Sequence, residues 1–288
     1  MNQGPFKALT SPLVTPEWLR AHLGEVRVLD VRWYLSGKRG ADEYATGHLP
    51  GAAFVDLDRD LSSPKGRGPG RHPLPTAQAF ASLLSRLGIT ATTRVVAYDD
   101  AGGSIAARVW WTFRHFGLPT AAVLDGGLAA WIAEGGSLTS ETPKIAPAPA
   151  MRLVARTDDL ADKHAVDRLR VSAGAVIYDV RAPERYEGKL EPVDARPGHV
   201  PGARSLPFAG NLRSPGGRFL DRDPLVARYA QAGATPDKQV VCYCGSGVTA
   251  CHSLLALAMT GREDALLYEG SWSDWAADSS LPAALGPE

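Results

Sequence analysis

The amino-acid sequence predicts an α/β protein of two tandem domains, each a mostly parallel sheet flanked by helices. Three observations carry this. Short apolar runs alternate with segments of helical periodicity, the pattern of strand–helix–strand crossovers. Four stretches of the amino-terminal half recur, in the same order, in the carboxy-terminal half. The 288 residues suffice for two domains, each of roughly 100–150 residues.

The repeat is explicit. Val28-Leu29-Asp30-Val31-Arg32 returns as Ile177-Tyr178-Asp179-Val180-Arg181, and Gly47-His48-Leu49-Pro50-Gly51-Ala52 as Gly198-His199-Val200-Pro201-Gly202-Ala203. Arg94-Val95-Val96-Ala97-Tyr98-Asp99 returns as Gln239-Val240-Val241-Cys242-Tyr243-Cys244. Leu124-Asp125-Gly126-Gly127-Leu128-Ala129-Ala130-Trp131 returns as Tyr268-Glu269-Gly270-Ser271-Trp272-Ser273-Asp274-Trp275. The period is about half the chain, so this is a duplicated domain rather than a solenoid.

In the first half the pattern predicts strands over 27–31, 52–54, 95–98 and 121–124. Helices are expected over 76–87, 106–116 and 128–134; Phe80, Leu83, Leu84 and Leu87 share one helical face. In the second half an apolar run over 240–243 feeds Cys244, and a helix is expected over 250–257. The stretch 140–150 holds three prolines and no apolar periodicity, so it reads as an extended linker. The expected division is a chemically silent domain over 1–140, a linker over 141–154 and a catalytic domain over 155–288.

Composition narrows the function. Hydrophobic residues make up 44% and charged residues 22%, an ordinary globular balance. Lysine plus arginine equals aspartate plus glutamate, 31 each, so neither nucleic acid nor a membrane surface is an expected partner. Apolar runs such as 254–259 are too short to span a bilayer, and residues 1–7 lack an apolar signal core. The three cysteines all fall between 242 and 251, which excludes a distributed disulfide framework and suits a reducing cytoplasm. Their spacing is not that of paired zinc ligands. No metal and no cofactor is expected.

Cys244 stands where a strand stops and a glycine-containing turn opens a helix. Gly245 and Gly247 supply positive φ and close backbone approach. Successive N–H groups can then curl inward as an anion nest, with the helix N-terminus adding its dipole. Both features favour a thiolate. Cys244-Gly245-Ser246-Gly247-Val248-Thr249, following a strand and opening a helix, resembles the active loop of the rhodanese superfamily. Within that superfamily the loop is similar to that of the 3-mercaptopyruvate sulfurtransferases. The resemblance covers nearly the whole chain and implies two rhodanese-like domains, the first inactive, because Asp99 stands at the repeat position of Cys244 and cannot carry a sulfur.

The resemblance implies that Cys244 is the nucleophile and forms a persulfide. The backbone of Gly245, Gly247 and Val248, with that of Ser246 and Thr249, would stabilise the thiolate and the terminal sulfur. Ser246 and Thr249 add hydroxyls. The family's proton relay falls on Ser246, His72 (in Gly70-Arg71-His72-Pro73) and Asp58. The alternative is that Ser246 caps the helix and His72 orders its loop. Arg185 and Arg196 match the arginines expected to grip a substrate carboxylate, although Arg196 also reads as a solvated surface residue. Arg181, His48 and His199 are scaffold by the same logic, since both halves carry an arginine and a histidine there. Trp272 and Trp275 read equally as pocket wall or as core.

The implied activity is a sulfurtransferase that moves a sulfane sulfur from a small-molecule donor to a thiol such as thioredoxin or a small thiol, or to cyanide. Basic residues inside the loop suit thiosulfate; the neutral pair Gly245 and Ser246 favours 3-mercaptopyruvate, with pyruvate released. Thiosulfate is the alternative donor. A cysteine phosphatase would need a longer loop with arginine six residues after the cysteine, where Ala250 stands. A non-catalytic binding module would have no need of the intact loop.

Overall fold

The computed structural model describes residues 11–214 and 217–287; the amino-terminal stretch read for a signal core lies outside them. The chain divides into two compact units. The first takes residues 11–61, 75–156 and 217–218; the second takes 62–74, 157–214 and 219–287. Residues 62–74, which chain order places in the first half, thus pack with the second unit.

The first unit holds a five-stranded sheet of β1 (Leu13–Val14), β2 (Val26–Asp30), β3 (Ala53–Phe54), β4 (Arg94–Tyr98) and β5 (Ala121–Leu124). The order is β1-β5-β4-β2-β3 and every pair is parallel. The second unit holds β6 (Ala175–Asp179), β7 (Arg204–Ser205), β8 (Gln239–Tyr243) and β9 (Leu266–Leu267), ordered β7-β6-β8-β9 and again parallel throughout. A parallel bridge from Leu160 to Leu267 replaces the fifth strand. Parallel strands need crossovers, and helices such as Ala77–Arg86, Ala106–His115, Arg222–Gln231 and Ala250–Thr260 supply them. Burial of β4 and β8 explains their continuous apolar runs: Val95 to Tyr98 and Val240 to Tyr243 are all buried.

The repeated residues do repeated work. Arg32 closes on Asp30 and on the Gly47 carbonyl, and Arg181 closes on Asp179 and on the Gly198 carbonyl. His48 stacks on Tyr44 at 3.8 Å, and His199 on Tyr186 at 3.7 Å. The Tyr98 hydroxyl accepts the Leu49 N–H at 3.1 Å, as the Tyr243 hydroxyl accepts that of Val200. Trp272 and Trp275 are fully buried with Tyr243 and Ile177 in the core of the second unit, so their bulk is scaffold. The proline-rich segment after Ser140 has no regular structure, yet it is not free. Ala148 hydrogen-bonds Ser85 through both its N–H and its carbonyl, which ties the segment to the helix Ala77–Arg86.

Candidate active site

β8 lies at the middle of its sheet, between β6 and β9, and the chain leaves the sheet at Cys244. Open α/β sheets place their sites beyond such carboxyl ends. The helix Ala250–Thr260 begins six residues later and is buried from Ala250 to Leu257. Loop 244–249 is therefore held between two buried elements, and Cys244 is only 2% exposed. The two loop glycines differ in purpose. Gly247 has φ +76, and a Cβ there would meet the Glu269 carbonyl oxygen at 2.4 Å. Gly245 does not have the expected positive φ. A Cβ at Gly245 would instead meet Arg71 Nη2 at 3.0 Å and Arg185 Nη1 at 3.3 Å, so this glycine makes room for guanidinium groups.

The turn after β9 pins the loop. The N–H groups of Trp272 and Ser273 donate to the carbonyls of Cys244 and Gly245, both at 3.0 Å. The Cys244 N–H donates to Ser271 Oγ at 3.1 Å, and that hydroxyl donates to the Tyr268 carbonyl at 2.9 Å. Ser271 has φ +53 and is the sole non-glycine with positive φ among the described residues. Its repeat partner is Gly127, at φ +55. A serine in the left-handed region, where the twin has glycine, is retained with a strain of roughly 1 kcal/mol or more. Its hydroxyl holds the backbone of Cys244. Sequence reasoning missed Ser271; comparing the two repeats position by position would have found it.

Ser246 and His72 meet. His72 Nδ1 lies 2.7 Å from Ser246 Oγ, and both side chains are buried. The hydroxyl of Ser246 is therefore on the imidazole and does not cap the helix, whose N-cap residue Thr249 makes no side-chain capping bond either. His72 is carried by the 62–74 segment, which is fastened by the Arg71 N–H to Ser273 Oγ at 3.1 Å and by the Leu74 N–H to the Glu269 carboxylate. Asp58 lies in the first unit, in the short helix Leu57–Asp60, where it accepts the Trp33 indole N–H at 2.8 Å.

The arginines partly differ from expectation. Arg185, in the turn of helix Pro183–Tyr186, reaches the loop; its Nη2 donates to Glu191 at 2.7 Å and to Asp194 at 3.0 Å. Arg196, expected as a second arm, directs its hydrogen bonds to backbone carbonyls instead. Its Nε and Nη2 donate to four carbonyls, those of Trp275, Ala276, Asp278 and Leu281, and the side chain is half-buried. The second guanidinium beside Gly245 belongs to Arg71, which ion-pairs with Asp194. Sequence reasoning passed over Arg71 although it adjoins His72, because only folding brings residues 71 and 185 together. Burial raises the Asp194 carboxyl above its ordinary range and the Glu191 charge adds to this, while Arg71 and Arg185 oppose it. Glu191 lies below its ordinary range: burial works against this, but the Arg185 hydrogen bond and the Asp194 and Val193 amides outweigh it.

Cys242 is fully buried, and burial pushes its thiol far above the ordinary value; it is inert by the usual rule for apolar thiols. Cys251 Sγ packs against the Gly247 carbonyl at 3.3 Å. The first unit's loop shows what such a turn does with an anion. Both oxygens of the buried Asp99 carboxylate are taken by backbone amides: Oδ1 by Ala101 and Gly103, Oδ2 by Ile105 and Ala106, all at 2.8–2.9 Å. The loop's cradle is filled by the chain's own side chain.

The sequence profile of the rhodanese-like domain matches this chain twice, over residues 15–134 and 162–278. The chain belongs to the rhodanese family. Its two rhodanese domains span nearly all of several relatives. A Pseudomonas aeruginosa protein named "Probable 3-mercaptopyruvate sulfurtransferase" is 41% identical, with 96% of this chain and 99% of that one covered. The mitochondrial thiosulfate/3-mercaptopyruvate sulfurtransferase 1 of Arabidopsis thaliana is 34% identical, over 95% of this chain and 78% of that one. Among solved structures, SseA from Escherichia coli, described as a rhodanese-fold 3-mercaptopyruvate sulfotransferase, superposes with a TM-score of 0.81. It shares 30% sequence identity, and 92% of this chain and 100% of that one are covered.

Proposed function

We propose that this rhodanese-family chain is a sulfurtransferase that takes a sulfane sulfur from 3-mercaptopyruvate onto Cys244 and passes it to a thiol or to cyanide. The observation that carries the choice of donor is the Ser246–His72 pair at 2.7 Å within the active loop. When the Cys244 thiolate attacks the sulfur of 3-mercaptopyruvate, the new S–S bond forms as the C–S bond breaks. The electron pair leaves on carbon as the enolate of pyruvate, which must take up a proton. A hydroxyl backed by an imidazole is suited to hold and deliver that proton. Asp58 is the acidic member of the relay that the family resemblance proposes, and Thr249 a supporting hydroxyl.

The amides of Gly245 to Thr249 hold the thiolate and the persulfide, by analogy with the amides that hold the Asp99 carboxylate in the silent repeat. Arg185 grips the donor's carboxylate, aided by Arg71. The product persulfide then gives its outer sulfur to thioredoxin, a small thiol or cyanide, which regenerates the Cys244 thiolate. The division into a silent and an active domain follows from Asp99 standing where Cys244 stands. Among the described residues no helix is long and apolar enough to cross a membrane, and the cytoplasm is the proposed compartment.

Thiosulfate is the second reading, favoured by the two guanidinium groups beside Gly245. Steady-state assay of both donors against cyanide and against a dithiol tests the choice: kcat/KM is higher for 3-mercaptopyruvate, and the reverse order rejects it. Mass spectrometry after donor treatment shows a gain of one sulfur on Cys244, lost in Cys244→Ser.

A further inference from the structure

We propose that Asp194 sets the donor preference of this site by cancelling one of the two positive charges beside the active loop. The proposal rests on the sulfur-transfer reading and extends it to the charge class of the donor.

Arg71 Nη2 and Arg185 Nη1 both approach Gly245. Between the two guanidiniums sits the Asp194 carboxylate, its side chain 3% exposed. One oxygen accepts from Arg71 and the other from Arg185, and the carboxylate makes no other hydrogen bond among the described residues. Behind this pair Glu191 accepts from Arg185 and from Arg181, and Arg181 is closed on Asp179. Three cations (Arg71, Arg181 and Arg185) thus meet three carboxylates (Asp179, Glu191 and Asp194), and the cluster sums to zero. Asp194 is the carboxylate that touches both arginines beside the loop. The turn that carries it does not depend on its charge, because Glu191 Oε1 accepts the N–H groups of Val193 and Asp194 at 3.1 and 3.0 Å. Arg185 Nε is buried without a partner, so the fork keeps a spare donor.

Charge arithmetic gives the consequence. 3-Mercaptopyruvate brings one negative charge and thiosulfate two. Removing the Asp194 charge leaves the cluster with one net positive charge, and a dianion gains about twice as much from it as a monoanion does. At partly buried distances of a few ångström this favours the dianion by about tenfold or more. Asp194 is thus a specificity-determining residue, and the site as built suits a monocarboxylate.

The test is Asp194→Asn, measured in two ways. In a Cys244→Ser background, calorimetry gives the affinities for thiosulfate and for pyruvate without any turnover. In the active chain, kcat/KM is compared for thiosulfate and 3-mercaptopyruvate. The expected result is a shift of both ratios toward thiosulfate by about tenfold; a ratio that is unchanged or moves the other way overturns the proposal. Arg71→Gln alone shifts the affinity ratio toward pyruvate, and adding Asp194→Asn to it restores the neutral sum of the cluster, so the ratio of the double variant must return to that of the Cys244→Ser parent. A double variant that keeps the ratio of Arg71→Gln overturns the proposal, and it decides the question if Asp194→Asn alone does not fold. If no version turns over either donor, sulfur transfer is refuted, while the affinity ratio still judges Asp194.

Discussion

His72 Nδ1 lies 2.7 Å from Ser246 Oγ although 174 residues of chain separate them. The two donors weigh this pair differently. Breaking the C–S bond of 3-mercaptopyruvate leaves a carbanion equivalent that needs a proton, whereas thiosulfate releases sulfite, whose charge needs none. His72→Asn and Ser246→Ala should each lower kcat for 3-mercaptopyruvate by about a hundredfold, the lower range for general acid–base catalysis. The double variant should lose little more, as members of one unit do. Persulfide formation from thiosulfate should change by less than about threefold. Stopped-flow single turnovers with each donor check this, and equal losses with both donors would reduce the pair to a structural contact.

Ser271 makes a prediction of opposite signs for stability and for activity. Ser271→Gly relieves the left-handed strain but removes the hydroxyl that holds the Cys244 N–H. Ser271→Ala removes the hydroxyl and keeps the strain. Ser271→Ala should be less stable than Ser271→Gly by about 1 kcal/mol. Both should lose about tenfold in kcat, because a loop misplaced by a fraction of an ångström presents its amides poorly. Thermal unfolding and kinetics on the same preparations separate the two effects.

The Asp179–Arg181 pair is fully buried, with Nη2 to Oδ2 at 2.6 Å and the guanidinium 5.0 Å over the Trp272 ring. Asp179→Ala would take the bidentate partner from a buried guanidinium and leave it only Glu191 and the Gly198 carbonyl, a loss of about 3 kcal/mol. Asp30→Ala should behave likewise in the first unit, where Arg32 makes the same contact. Urea unfolding followed by tryptophan fluorescence measures both. A loss below about 1 kcal/mol would place the pair with exposed ion pairs.

Much of the fold was legible because local chemistry and global structure agree here. The runs over 95–98 and 240–243 are apolar on both faces, as central parallel strands must be, and they are β4 and β8. The helix expected over 76–87 is Ala77–Arg86. The two-residue strand Leu13–Val14 left no periodic signal, and the helix Gly40–Thr46 has too few apolar residues to show one. At the site, Cys244 and its loop could be read from neighbouring residues alone. The roles of Arg71 and Asp194 depend on three segments meeting, and no spacing along the chain encodes that. Arg196 misled because an arginine near an expected substrate arm looks the same in sequence whether its donors meet a ligand or four carbonyls.

The filled cradle around Asp99 has a bearing on durability. A carboxylate does not oxidise, alkylate or pick up sulfur under conditions that modify a thiol. The first domain's loop therefore keeps its shape through chemical insults that would disable Cys244. A preparation poisoned by peroxide or by an alkylating agent should fail at one loop alone, with the other half of the molecule still folded around its own built-in anion.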